Sequence, residues 1–348
     1  MDQIKRHKAV ARDLGDFDAI VWGGGLSGWA AAVSLGRDGR RVLLASEGTS
    51  LGREVASSMS TWWPKALAVP PLWAEVVDEL RRVSAATSTV VDPVATQVLL
   101  ERSAEQAGVE LLYAVNAHPG EDEITLLTGR WGLMAARSSV LIDASARGRL
   151  AVECGATSQS RKSRRSVIRR ALMVKTGLSE PKWIEVGNEL PVADATSMAW
   201  PGLWPGDAII EVELDLPMDD MTSLEIASRR AMVEVVSRLR ASHEELAQGS
   251  LVAVALDPVL PRDIVLEPSA DGEELCRLHG DEGEVTVARG MMLPERAGGV
   301  IAASPALDLG EISARECYYA PNAVTLGEAA GALAGETLRD NREAADHG

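Results

Sequence analysis

Three glycines and one acid near the start of the chain have the spacing of a phosphate-binding turn. Gly23, Gly25 and Gly28 occupy the fixed positions of G-x-G-x-x-G, and Glu47 follows Gly28 by nineteen residues. The first glycine permits a tight turn, the second admits a pyrophosphate to the backbone, and the third lets a helix pack closely. An acid at the later position accepts hydrogen bonds from ribose hydroxyls. The pattern predicts a dinucleotide site.

The segments around these residues have the pattern of a βαβ unit. DAIVWG is typical of a buried strand, LSGWAAAVSLGRDG of a helix, and RRVLLASE of a second buried strand. Phosphates would lie at the N-terminus of the helix, where N–H groups and the helix dipole favour anions. The alternative is a glycine turn in a doubly wound fold that binds nothing.

Later segments distinguish FAD from NAD, because the first βαβ unit suits the ADP half of either cofactor. SSVLIDASARGRLA predicts another buried strand, and NAVTLGEAAGALAGETLRD places small residues at the start of a helix. With the first unit, these segments resemble the FAD-dependent oxidoreductases that have a glutathione-reductase-like FAD-binding domain. DASARG is similar to that family's DATG element, and RRALMVKTG resembles the strand that opens its substrate domain. The resemblance implies FAD as the cofactor.

The resemblance also implies which positions contact FAD. They lie in the glycine turn, at the ribose acid, at a backbone contact to adenine, at a strand end beside ADP, and at the last helix: Gly23, Gly25, Leu26, Ser27, Gly28, Glu47, Val115, Ala144, Ser145, Gly327, Glu328 and Gly331. The chain departs from the family at Arg53, where a second glycine is usual. Arg53 either reaches the phosphates or a substrate carboxylate, or is a surface residue.

Candidate catalytic residues lie in EVASSMSTWW, in ECYYAPNAVTLGE and at Arg315, directly before the second segment. Arg315 either binds a carboxylate or reduced flavin, or forms a structural ion pair. Tyr318 either donates to a substrate oxygen or anchors a loop, and Trp62 either stacks on a planar substrate or belongs to the core. Covalent attachment needs a His or Cys near the flavin ring, and these segments offer Cys317 alone. We therefore expect non-covalent FAD, and the sequence predicts no metal site.

The predicted fold is α/β. A Rossmann-like FAD-binding domain with a parallel sheet of βαβ units carries a smaller, inserted α+β substrate domain. Within the 348 residues, the FAD-binding domain is expected at 16–58, 89–157 and 290–348, the substrate domain at 59–88 and 158–289, and an N-terminal extension at 1–15.

Charge and composition restrict the partners. A net charge of −16 argues against nucleic-acid binding, and the absence of a long apolar run argues against a membrane span. Three separated cysteines and an N-terminus without a secretory pattern favour the cytoplasm. The run RKSRRSVIRR, from Arg161 to Arg170, is either a solvated loop leading into a strand or a docking site for an anionic substrate or an acidic peptide or protein.

These observations predict an FAD-dependent oxidoreductase of the dehydrogenase, oxidase or monooxygenase type that acts on a small organic substrate. The basic run and the tryptophan-rich segments of the predicted substrate domain suggest one alternative. In it, the flavin modifies a residue in a peptide or partner protein. A second alternative is a flavin-binding subunit without its own active site, because 348 residues is short for this family. The substrate, the electron partner and the oligomeric state stay open at this point.

Overall fold

Two β-sheets of different construction organise the chain. The computed structural model describes residues 11–121, 124–160, 166–217, 220–281, 283–310 and 312–346. Its strands are β1 (Arg12–Trp22), β2 (Val42–Ala45), β3 (Glu110–Leu112), β4 (Val115–Pro119), β5 (Ile124–Gly129), β6 (Gly132–Asp143), β7 (Ser158–Ser160), β8 (Ser166–Val174), β9 (Lys182–Glu185), β10 (Val192–Pro201), β11 (Ala208–Asp215), β12 (Ser250–Val254), β13 (Ile264–Leu266), β14 (Glu274–Gly280), β15 (Gly283–Ala288) and β16 (Ile301–Ala302). Its helices are α1 (Leu26–Arg37), α2 (Arg53–Ala56), α3 (Pro71–Arg82), α4 (Pro93–Gln106), α5 (Arg149–Glu153), α6 (Met221–Ser242), α7 (Glu244–Ala247), α8 (Arg289–Met292), α9 (Ala314–Cys317) and α10 (Ala320–Asp346).

The first sheet has the strand order β3-β2-β1-β6-β5-β4, and β16 pairs with the end of β6. The pairs that involve β1, β2, β3 and β16 are parallel, whereas β4 and β5 pair antiparallel at one edge. β1, α1 and β2 form the predicted βαβ unit.

The first sheet is covered on both faces. Val21 and Leu44 pack in the main core with apolar residues of α1, α4 and α10. Ile20 and Leu43 point the other way, into a cluster with residues of β4, β5 and α5. This double burial is the reason that these strands are almost continuously apolar in sequence. The predicted α/β fold class with a Rossmann-like sheet is confirmed.

The second sheet has the order β12-β8-β11-β10-β9 and is antiparallel throughout. α6 covers one face, where Ala171 and Ile210 lie in a separate core with Val235. α6 has the bounds that its amphipathic sequence predicts, and the Asp220 side chain accepts from two backbone N–H groups of its first turn. The opposite face, which we call the open face, carries Arg170 and its cross-strand neighbour Glu211.

Three segments pack differently from the division that the sequence predicts. Residues 12–15, assigned to an N-terminal extension, begin β1, where Arg12 pairs with Met134. α3, assigned to the substrate domain, packs on α4 and α10 and places Trp73 in the main core. The β14–β15 hairpin, assigned likewise, contributes Leu278 to that core. An amphipathic pattern shows that a face is buried but not which element buries it.

Helix capping follows the sequence closely at α4. Asp92 precedes Pro93, and its Oδ1 accepts from the N–H of Ala95 at 2.7 Å. Asp92 is thus an N-cap of a type that the sequence favours, an acid followed by a proline in the first turn. Among the described residues, none of the helices combines the length and apolar character that a bilayer span requires.

Candidate functional site

A cleft of about 540 Å³ lies where β1, β2 and β6 end, beside the first turn of α1. Its size falls within the usual range of small-molecule sites, about 300–1,000 Å³. It also lies at the carboxyl ends of parallel strands, where ligands of open α/β sheets bind. Its walls combine sequence-predicted residues with others that the sequence did not single out: Trp22, Gly23, Gly24, Gly25, Ser27, Ser46, Glu47, Gly48, Thr49, Ser50, Arg53, Glu54, Ala56, Ser57, Gln97, Ala144, Ser145, Ala146, Leu256, Asp257, Pro305 and Tyr318.

The glycine turn is as tight as its spacing predicts. Gly23 has a φ of +121°, and a Cβ added there would lie 2.4 Å from the Ala144 carbonyl oxygen. A Cβ added at Gly28 would lie 1.9 Å from the Gly23 carbonyl oxygen. Both contacts are with backbone that has no room to move. Glycine is therefore required for α1 to begin directly against the end of β1.

The first turn of α1 faces the cleft without a side-chain cap of its own, because its N-cap residue is Gly25. A carboxylate from another element caps this helix instead. The N–H of Leu26 donates to Glu54 Oε2 at 2.8 Å, and a Cβ added at Gly25 would lie 2.6 Å from Glu54 Oε1. Burial raises the pKa of Glu54, against the opposing effects of this hydrogen bond and of the Arg53 charge.

Glu47 and Arg53 lie on the rim of the same cleft. Glu47 follows β2 and is exposed to solvent. The Nε atom of Arg53 lies 2.9 Å from Asp257 Oδ2, so that an ion pair joins α2 to the segment after β12. Burial opposes the charge of Arg53, but the neighbouring Tyr318, Asp257 and Glu47 outweigh it and raise its pKa. Arg53 is thus a cation that faces the cleft.

Ala144 and Ser145 form the wall at the end of β6, and Asp143 shapes this wall. Asp143 Oδ1 accepts from the N–H of Ser145 at 2.9 Å, and Oδ2 accepts from the N–H of Ala151 at 2.8 Å. Burial raises the pKa of Asp143, although these hydrogen bonds favour the carboxylate. The Asp143 side chain fixes the turn that brings Ala144 against Gly23.

The last helix does not meet the cleft where the sequence predicts. α10 begins at Ala320, so Gly327 lies two turns inside the helix rather than at its N-terminus. A Cβ added at Gly327 would lie 2.2 Å from the Ser27 carbonyl oxygen, and one at Gly331 would lie 2.9 Å from the Ser34 Cβ. Neither glycine lines the cleft, and their contact with the cofactor stays a prediction. They are small because α1 and α10 pack at very short distance.

Two further predicted contacts lie outside the cleft. Glu328 Oε1 accepts from the N–H of Leu72 at 2.8 Å and so caps the start of α3. Val115 is fully buried, and its N–H donates to the Ser46 carbonyl oxygen. Leu26 is also buried, and it is not among the residues that line the cleft. The cofactor contacts at Glu328 and Val115 stay predictions, and in the protein Glu328 Oε1 and the Val115 N–H already have partners.

The candidate catalytic residues separate into two places. Tyr318 lines the cleft and is almost fully buried, which raises the pKa of its hydroxyl. Trp62 and Arg315 instead lie against the open face of the second sheet. The Trp62 ring centroid is 5.6 Å from that of Trp200 and 6.2 Å from that of Tyr319. Trp62 thus belongs to an aromatic cluster.

Arg315 belongs to a charged cluster on the same face. Its Nε lies 2.5 Å from Glu211 Oε1, and its guanidinium lies 5.3 Å from the Trp183 ring centroid. Arg170 binds the other oxygen of Glu211 at 2.6 Å. Burial opposes the charge of Arg315, but Glu211 outweighs it and raises the pKa of Arg315. Arg315 thus forms the ion pair that the sequence left open, which occupies its charge within the protein.

The basic run lies mostly outside the described residues or inside the protein. Residues 161–165 are outside the part that the structure describes. Arg169 and Arg170 lie in β8 and are 0% and 1% exposed. Arg169 bonds to Glu225 on the α6 side of the sheet, and Arg170 to Glu211 on the open face. The prediction that the run as a whole is a docking surface is wrong for these two arginines.

The residues of the cleft fit the ADP half of a flavin dinucleotide. The glycine turn is a cradle that any Cβ would fill, and the first-turn amides of α1 have no acceptor within the helix. Arg53 adds a cation for the phosphates, and Glu47 adds an exposed carboxylate for hydroxyls. Glu54 was not found from the sequence, because nothing in its spacing relates it to a backbone amide twenty-eight positions earlier.

Comparisons with known proteins agree with this geometry. A family model described as FAD dependent oxidoreductase matches residues 18–198, more than half of the chain. No curated protein matches the chain.

Among solved structures, a geranylgeranyl bacteriochlorophyll reductase-like protein from Thermoplasma acidophilum aligns with a TM-score of 0.58 and 14% identity, over 94% of this chain and 80% of that one. The p-nitrophenol 4-monooxygenase of Pseudomonas putida aligns with a TM-score of 0.56 and 14% identity, over 95% and 81%. The flavin-dependent brominase Bmp2 aligns with a TM-score of 0.58 and 14% identity, over 92% and 79%. These similarities show a shared fold.

Proposed function

The chain belongs to the family of FAD-dependent oxidoreductases, and on this premise we propose that it binds FAD non-covalently in the cleft beside α1 and acts on a small organic substrate. The observation that carries the proposal is the meeting of the glycine turn, the first turn of α1 and Glu47 in one cleft of about 540 Å³. This set matches the chemistry of a nucleoside diphosphate, which presents an anion and a pair of hydroxyls.

In this proposal the ADP half lies across the ends of β1 and β2. The amides of the glycine turn and of Ser27 bind the pyrophosphate, and Arg53 neutralises part of its charge. Glu47 accepts hydrogen bonds from the adenosine ribose. Ala144 and Ser145 pack beside the dinucleotide, where the backbone turn held by Asp143 leaves no bulky side chain.

In the same proposal, the flavin end of the cofactor would lie toward Tyr318 and Asp257, which line the part of the cleft next to the segment after β12. When bound, FAD supplies the redox chemistry, and the protein positions the substrate against it. Tyr318 keeps its proton at neutral pH because its pKa is raised. Its hydroxyl can therefore donate a hydrogen bond to a substrate oxygen.

The aromatic cluster around Trp62 supports a planar or apolar substrate beside the flavin. Trp62 is half-buried and packs with Trp200 and Tyr319, so this cluster offers an aromatic rather than a charged surface. Arg315 is paired with Glu211 through its Nε and is one-fifth exposed, so any contact with an anionic or carbonyl group of the substrate would use the exposed part of its guanidinium.

Non-covalent binding is supported by the residues around the cleft. Neither histidine nor cysteine is among the described residues that line it. Cys317, the nearest candidate in sequence, is buried in the main core. The structural relatives described above, a monooxygenase, a brominase and a reductase-like protein, support small organic molecules as the substrate class.

The absorption spectrum of the purified protein tests the proposal. We expect flavin bands that are released by denaturation, which distinguishes non-covalent from covalent FAD. Anaerobic addition of NADH or NADPH, and then of candidate substrates, should change the flavin bands. A colourless protein that takes up no FAD would refute the proposal. A protein that binds FAD but is reduced or oxidised by no donor or substrate would instead be a flavin-binding subunit.

A further inference from the structure

Glu54 bonds to the first turn of α1, the same turn to which the proposed function assigns the pyrophosphate of FAD. Its Oε2 accepts the N–H of Leu26, the first residue of α1, at 2.8 Å. Its Oε1 lies so close to Gly25 that an added Cβ would be 2.6 Å away. The carboxylate thus binds the first turn of α1 in the manner that a phosphate oxygen binds the N-terminus of a dinucleotide-binding helix.

The helix offers only a few amides at this end, and the pyrophosphate of FAD requires them. A helix N-terminus carries about half a positive elementary charge, which favours one anion and disfavours a second. If FAD binds with Glu54 ionised and in place, two like charges share one amide-lined pocket. Such repulsion is relieved when the carboxylate takes up a proton or moves away.

The groups around Glu54 do not neutralise it fully. Arg53, its neighbour on α2, is the cation that acts on it, but Arg53 is ion-paired with Asp257 after β12 and also faces Glu47 after β2. Tyr318, between α9 and α10, is the other titratable group that interacts with Glu54, and its hydroxyl is neutral. Gln97 of α4 lines the same cleft and carries no charge.

We propose that Glu54 is an internal anion that occupies the pyrophosphate position in the flavin-free protein, and that binding of FAD is coupled to uptake of one proton by Glu54. The proposal rests on the placement of FAD in this cleft. The bond that changes is O–H: the proton comes from solvent, and no electron moves. In the protonated form, the Glu54 hydroxyl can donate a hydrogen bond to a phosphate oxygen.

The coupling fixes the direction of the pH dependence. Below the pKa of Glu54 in the free protein, the side chain is already neutral and FAD binds most tightly. At a pH above this pKa, binding of each FAD requires uptake of one proton from solvent. Kd therefore rises by about tenfold per pH unit until the pH reaches the pKa of Glu54 in the complex. Replacing Glu54 with Gln keeps an acceptor for the Leu26 N–H and removes the charge. Kd for FAD should then be independent of pH and, at alkaline pH, lower than in the wild type.

The experiment measures Kd for FAD by quenching of flavin fluorescence from about pH 5 to about pH 9. It compares the wild-type chain with Glu54→Gln, Glu54→Ala and a control, Glu105→Gln. Glu105 is an exposed acid on α4, so its replacement changes the net charge equally without touching the cleft. Calorimetric titration of the wild type in buffers of different ionisation enthalpy counts the protons directly and does not depend on a variant that folds.

The supporting result is uptake of about one proton per FAD by the wild type, with a pH dependence lost in both Glu54 variants and kept in Glu105→Gln. A wild-type Kd without pH dependence, or a dependence that persists in Glu54→Gln, overturns the proposal while leaving FAD as the ligand of the cleft. Weaker FAD binding by Glu54→Gln at every pH also overturns it, because Glu54 would then support the bound state. Failure of the wild type to bind FAD at any pH overturns the placement of FAD itself.

Discussion

Removal of Glu211 from the charged cluster on the open face should lower the free energy of unfolding by a large amount. Glu211 is 1% exposed and holds two arginines, Arg170, which is 1% exposed, and Arg315, which is 20% exposed. Replacing Glu211 with Ala leaves two cations without their partner, one of them fully removed from water. Removing one member of a buried ion pair costs about 3–5 kcal/mol, and we expect a decrease of this size in the free energy of unfolding.

The matched variant is Arg315→Ala. It leaves the Arg170–Glu211 pair intact, and water reaches the site that it vacates. We expect a smaller loss, about 1–2 kcal/mol, because exposure screens the interaction. In the double variant the two losses should not add, since both residues share one carboxylate.

Urea denaturation followed by tryptophan fluorescence measures these differences, since Trp183 and Trp200 lie on the same face. A Glu211→Ala variant within about 1 kcal/mol of the wild type would refute the reasoning, as would a larger loss for Arg315→Ala. Either result would mean that the arginines find water or other acceptors when Glu211 is absent.

Three further predictions concern the cleft, the packing of α1 and the thiols. Glu47→Ala should raise Kd for FAD by about 2- to 12-fold, because loss of one hydrogen bond costs about 0.5–1.5 kcal/mol of binding free energy. The melting temperature of the flavin-free protein should not change. An unchanged Kd in fluorescence titration would contradict the role given to Glu47. Gly327→Ala should cost about 1–3 kcal/mol in urea denaturation through overpacking against α1. Gly335→Ala is its control: its added Cβ meets nothing closer than an Arg339 Nη1 atom at 3.7 Å, and it should be neutral or slightly stabilising. Equal effects of the two substitutions would contradict the close packing. Burial raises the pKa of the Cys276 thiol to about 12 and that of Cys317 to about 11, so neither should react quickly with a disulfide reagent at neutral pH until the protein is denatured. Rapid labelling of either thiol in the native protein would show that it is more accessible than described.

The sequence predicts the parts of the site that depend on local backbone geometry. The tight turn at Gly23 and the close approach of α1 at Gly28 follow from the spacing of the glycines, because the phosphate-binding turn uses glycine at these positions. The α4 cap at Asp92 and the bounds of α6 are likewise local properties. These features could be predicted because each depends on residues close together in the chain.

The sequence does not reveal contacts between distant segments. Small residues at Gly327 and Gly331 are equally suited to a phosphate and to a neighbouring helix, and only the position of α10 decides between them. The basic run contains Arg169 and Arg170, whose burial depends on two acids in other elements, Glu225 and Glu211. Glu54 is the clearest case, because its partner is a backbone amide that has no signature in sequence.

The short segment at residues 53–58 is hydrogen-bonded on both sides. Glu54 attaches it to α1, while the Ser58 carbonyl accepts from Arg170 Nη1 at 2.9 Å and the Ser57 carbonyl accepts from the N–H of Asp257. If an incoming dinucleotide displaced Glu54, the hydrogen bonds of this segment would connect the movement to β8 of the second sheet, on the side where Trp200 and Glu211 lie. Because coupling between two binding sites is reciprocal, a molecule that binds that side more tightly after the displacement would also raise the affinity for the dinucleotide. Binding of the dinucleotide and binding of a molecule on the second sheet would then be thermodynamically coupled.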